Sequence, residues 1–113
     1  MTNQTPSKAE LHEIASTICD QLTRAKPGGG FGRLQAMIGA TIRTGYSDNR
    51  PGVVFTFKGC RQWNWCRISL TEDDTYSVQF GHIKRAAVGT VSGVMAEDLS
   101  DLFSLSTGLD LHL

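Results

Sequence analysis

Trp63 and Trp65 stand two apart, with Arg67 following and Lys58 and Arg61 just upstream. Indoles interleaved with basic groups suit two chemistries. They could stack on bases of single-stranded nucleic acid, at roughly 1–3 kcal/mol per base, with phosphates paired to the cations. They could equally anchor an acidic protein surface, because Trp and Arg are typical interface hot spots. A plainer reading has Trp63 opening a strand and capping the core edge, with Arg67 an ordinary solvated charge.

Other chemistry-bearing patterns are weaker. Gly28-Gly29-Gly30-Phe31-Gly32-Arg33 resembles a phosphate loop only superficially. It lacks the Gly-Lys-Ser/Thr of a Walker loop and does not follow a strand as a dinucleotide loop does. With a helix expected before it and a strand after it, residues 27–33 read as a helix stop and a Gly-rich loop. Glu72-Asp73-Asp74 could attract a hard cation, but three acids in one turn with none nearby make a poor site. Asp is favoured in turns for its own side-chain-to-backbone bonds. Cys19, Cys60 and Cys66 are odd in number and include no C-x-x-C, so reduced thiols are expected. A Cys60–Cys66 bridge is conceivable, while Cys19 reads as a packing residue on a helix. His12, His82 and His112 do not pair at metal-ligand spacing, and no serine is framed as a nucleophile. The reading is therefore no catalytic residue, no metal and no cofactor, hence not an enzyme.

The elements that hold these residues follow from periodicity. Ser7 and Glu10 form a capping box, and Leu11, Ile14, Ala15, Ile18 and Leu22 recur at helical spacing, predicting a helix that stops near Lys26 before Pro27. Residues 1–6 are polar and read as a disordered tail. From Leu34 to Ile83 the period becomes two, predicting strands at 34–43, 53–58, 63–70 and 75–83. Their short, turn-rich connections favour an antiparallel meander, since a parallel crossover needs a dozen or more residues. After the small-residue stretch 86–93, Met95, Leu99, Leu102, Phe103 and Ser106 share a helical face, with Gly108 placed as a left-handed stop. The expected fold is α+β in the order α-β-β-β-β-α, a four-stranded antiparallel meander with two helices packed on one face.

Strand alternation divides the sheet into two faces. Val53, Phe55, Phe57, Cys66, Ile68, Leu70, Tyr76, Val78 and Phe80 form one set and should build the core. Thr56, Lys58, Trp63, Trp65, Arg67, Ser69, Ser77 and Gln79 form the other. Lys58, Arg61, Trp63, Trp65, Arg67 and Gln79 are thus the candidate partner-binding residues, with both indoles on or near solvent.

Charge supports a polarised surface. The 113 residues balance eleven Lys and Arg against eleven Asp and Glu, which excludes a strongly basic tail or an acidic disordered chain. Yet residues 24–67 hold eight cations and one acid, Asp48, whereas residues 86–113 hold four acids and no Lys or Arg. One domain over 1–113 is expected at this length. No run approaches the ~18 apolar residues of a membrane span, and the N-terminus lacks a signal peptide's apolar stretch, so a cytoplasmic protein without membrane contact is expected.

The run Ala36-Met37-Ile38-Gly39-Ala40, then Ile68-Ser69-Leu70-Thr71-x-x-Asp74-Thr75-Tyr76-Ser77-Val78-Gln79-Phe80, then Thr107-Gly108-Leu109, resembles a family of small uncharacterised bacteriophage and prophage proteins. The resemblance covers about three quarters of the chain. The chain departs from that pattern in its Gly-rich segment 27–33, its longer first hairpin, and its two tryptophans. The resemblance implies a genetic setting and no chemistry. Together these readings point to a phage or mobile-element accessory protein in the bacterial cytoplasm that binds a host protein or complex, such as a defence complex of the CRISPR type. A nucleic-acid-binding module and a self-associating structural protein remain the alternatives.

Overall fold

A computed structural model describes residues 7–47 and 50–109. Helix α1 (Lys8–Thr23) begins as its sequence dictates. The Glu10 backbone N–H donates to Ser7 Oγ at 3.2 Å, and Glu10 reaches back to the Ser7 N–H. It ends slightly earlier than expected, with Arg24 turning left-handed at φ 55°. Its buried stripe is Ala15, Ile18, Cys19, Leu22 and Thr23. The expected tail 1–6 lies outside the described residues.

The Gly-rich segment departs from expectation. Pro27–Gly29 form a turn, and Gly30 opens a second helix, α2 (Gly30–Ile38), which occupies half of the strand expected at 34–43. The cause is a non-local cap. The Asp20 carboxylate on α1 accepts the Gly28 N–H at 2.9 Å and the Gly30 N–H at 2.8 Å, satisfying donors a helix start leaves free. Position 30 must be glycine, because a Cβ there would lie 2.3 Å from the Cys19 carbonyl carbon.

Five strands follow, β1 (Thr41–Ser47), β2 (Arg50–Thr56), β3 (Trp65–Leu70), β4 (Tyr76–His82) and β5 (Arg85–Val94). They pair antiparallel in sequence order, so the meander is right and the count of four is not. The additional strand is β5. Its residues, RAAVGTVSGV, are small and bury little, so they lack the apolar alternation that marks a strand. A 3-10 turn (Ala96–Asp98) then leads into α3 (Leu99–Thr107), closed by left-handed Gly108 whose N–H donates to Ser104 O at 2.8 Å. Met95, expected on this helix's buried face, precedes the helix and is exposed.

Two helices, α1 and α3, pack on one face of the sheet, and α2 packs on α1 and adds Leu34 and Ile38 to the same core. Eight of the nine core positions read from alternation are buried, and Leu70 is half-buried against them. Phe103 of α3 sits among Phe55, Phe57 and Phe80, with ring centroids 5.9, 5.3 and 6.1 Å away. Full burial of such a ring contributes about 1.5–3 kcal/mol. Tyr76 adds a polar tie, its hydroxyl donating to Gln21 of α1 at 2.7 Å.

Candidate functional site

Among the described residues no helix covers the second face of the sheet, and the strand register sets out its surface row by row. One row runs Thr41, Thr56, Trp65, Gly81, Val88, and the next runs Arg43, Val54, Arg67, Gln79, Thr90. Trp65, Arg67 and Gln79 are therefore brought together, Arg67 pairing directly across from Gln79. Trp65 is held flat by its neighbour. A Cβ on Gly81 would fall 2.1 Å from Trp65 Cζ2, so the indole fills the space a side chain would take. This aromatic cover of a strand glycine leaves Gly81 buried and Trp65 half-buried.

The other expected site residues lie elsewhere. Trp63 is on the helix-covered side, 6.1 Å from the Phe80 ring, with its indole 3.3 Å from where a Gly89 Cβ would stand. The expectation that both indoles share the open face is corrected. Strand β3 begins only at Trp65, and the chain bends at Asn64, whose N–H donates to Gly81 O while its side chain accepts the Ile83 N–H. Period two does not count backwards through a bend. Lys58 lies beyond β2, tied through its N–H to Ile38 O at 3.0 Å, with its stem 3.6 Å from a Cβ built on Gly39. Arg61 is exposed in the connection before β3.

The register adds members that alternation within single strands could not assign. Arg43 and Arg50 are exposed on the open face, and Thr41, Arg43, Val54 and Thr56 edge a shallow depression of about 320 Å³. None of the five strands contains Asp or Glu, while α1, the 3-10 turn and α3 carry six acids. The charge asymmetry along the sequence becomes an asymmetry across the layers. In the sequence it shows as the basic excess of residues 24–67 against the acidic residues 86–113.

The remaining chemistry is committed internally. The α2 N-terminus would attract an anion, but Asp20 already sits there, accepting the Gly30 N–H of its first turn and the Gly28 N–H just before it. The glycines do open a helix, contrary to expectation, and it is the protein's own carboxylate that fills the place of a phosphate. Asp73 accepts from the Thr71 and Thr75 hydroxyls, which hold its carboxyl below the ordinary range. Among the described residues no group of three His, Cys, Asp or Glu could hold a metal. All three cysteines are free, Cys19 and Cys66 buried and Cys60 half-buried. Burial, with the Asp20 charge adding, pushes the Cys19 thiol up to about 12, and burial raises Cys66 likewise. Both stay protonated near neutrality and so are poor nucleophiles.

No family model matches this chain. Neither does any curated protein or solved structure. Among the described residues no helix is long and apolar enough to cross a membrane.

Proposed function

We propose that this chain is a non-enzymatic binding protein that docks an acidic surface of a partner protein on its open sheet face. Trp65 would be the anchor, Arg43 and Arg67 the charged contacts, and Gln79 a hydrogen-bonding neighbour. The biological setting follows from the sequence resemblance alone: a phage or mobile-element accessory protein, acting in the bacterial cytoplasm on a host defence complex. The observation that carries the docking role is the row structure itself. A half-buried indole in one row, Arg43 and Arg67 together in the next, and β-branched Val54, Thr56 and Thr90 around them form one patch, and no acid stands in any strand. Trp and Arg centred in such a patch have the composition of an interface hot spot.

Nucleic acid is the weaker reading. Successive base stacking needs successive aromatic platforms, and Trp63 faces the helices, leaving Trp65 as the one tryptophan on this face. The test is a defence-interference assay in bacteria carrying an active CRISPR-type system, paired with binding of the purified protein to the isolated effector complex. The expected result is relief of interference, with Arg67→Glu weakening binding about 30-fold or more, the scale of a 2 kcal/mol hot spot. Binding unchanged by Arg67→Glu and Trp65→Ala would remove the open face as the docking site. Single-strand binding that falls steeply with salt would favour the nucleic-acid reading instead.

A further inference from the structure

We infer that strand β5 is the seam of a homodimer, in which two copies pair antiparallel edge to edge. Among the described residues no strand pairs with the outer side of β5, so its ladder groups there face outward as a template for another strand. Edge strands are ordinarily blunted by lysine, proline, inward charge, β-bulges or short length. β5 is ten residues long, and after Arg85 it has neither a charged residue nor a proline through Val94. Two register shifts against β4 break its ends, but between them Val88 to Val91 pair regularly, leaving a defined central stretch.

Exposed valines say what should cover this edge. Val88 and Val91 are 45% and 40% exposed, and the register puts them on opposite faces, Val88 with Gly81 and Val91 with Val78. A partner lying on either face would cover one of them. A strand added at the edge covers both, because its side chains flank each face.

A second copy is the occupant that the charge pattern favours. Opposing β5 strands are uncharged from Ala86 to Val94, and antiparallel pairing about the central stretch sets each Arg85 toward the far end of its partner, so self-pairing meets no repulsion. The chain's other edge, β1, carries exposed Arg43 near its middle, and pairing β5 with β1 would propagate into an open filament. Pairing β5 with itself closes at two subunits. The two-fold axis then stands perpendicular to the sheet, and both open faces lie on the same side of one continuous sheet. The seam borders the open face, where Val88 and Thr90 end its two rows, but it does not depend on that face's docking role.

Light scattering on the full chain across a dilution series tests the seam. The expected species at high concentration has twice the 12.3 kDa chain mass. Val88→Lys with Val91→Lys should raise the dissociation constant at least about tenfold, since like charges opposed across strands repel. Leu105→Lys, at an 85% exposed helix position, should leave it unchanged. Far-ultraviolet circular dichroism establishes that each variant is folded, and amide exchange should show β5 protection rising with concentration in the parent chain. A parent that stays monomeric at its highest soluble concentration overturns the inference. So does a dimer that survives the double lysine change, and a dimer dissociated only by Arg67→Glu would move the seam to the open face.

Discussion

On the covered face of the sheet, Phe103 is surrounded by three phenylalanine rings, whereas on the open face Trp65 lies across a single glycine with exposed Thr56 and Val88 beside it in its row. Both are large aromatics on one sheet, yet one is enclosed by side chains and the other is supported from beneath and bare above. The first arrangement maximises contacts within the chain. The second keeps an aromatic fixed in orientation while leaving it free to meet something else. The ring's cover of Gly81 helps hold the sheet, while its outer surface is what the proposed docking would use.

The difference is testable as stability against binding. Phe103→Ala should cost about 3–5 kcal/mol, the range for emptying a buried aromatic site, read as a large fall in denaturant midpoint. Arg67→Ala should stay within roughly 0.5 kcal/mol of the parent, as surface changes do. Equal losses for the two would erase the contrast between faces.

Gly81→Ala separates support from exposure. The new Cβ would meet the indole of Trp65 at 2.1 Å, so the ring must lift off the strand. Overpacking of this kind costs typically 1–3 kcal/mol. Trp65 fluorescence should shift to longer wavelength as the ring enters water, measured in a Trp63→Phe background so that one indole reports. An unshifted spectrum would mean that Gly81 does not seat the ring.

What sequence could show divides along similar lines. The capping box of α1, the alternation of β2 to β4 and the Gly108 stop are local patterns, and the structure contains each of them. Helix α2 was hidden because its cap is Asp20, ten residues before Gly30, and its two glycines, Gly30 and Gly32, argue against helix on propensity. Strand β5 was hidden because an edge strand with little to bury need not alternate. Within the candidate site, Trp65, Arg67 and Gln79 were legible from parity, and Arg43 required the β1–β2 register. Trp63 went astray because one bend at Asn64 lies between it and the strand.

The smallest expected effect belongs to the hairpin at the end of the open face, where Thr71 and Thr75 both donate to Asp73 and the Thr71 N–H donates to Thr75 O at 2.9 Å. Asp74 takes the left-handed conformation, φ 62°, that closes the turn. The two hydroxyls favour the ionised carboxylate, so Asp73 has a lower pKa folded than unfolded. A group lowered in this way contributes stability that is fully present above its unfolded pKa and is lost as pH falls through its folded value. The hairpin should therefore weaken in the acid range below the ordinary carboxylate pKa and be indifferent near neutrality. Because Asp73 is solvent-exposed, the contribution is modest. Melting temperatures of the parent and Asp73→Asn, followed from neutral to acid pH, should converge as pH falls, with the variant lower near neutrality. Curves that stay parallel throughout would mean that Asp73 holds the turn without its charge, and the hairpin would then be set by Asp74 geometry and the Thr71–Thr75 backbone bond.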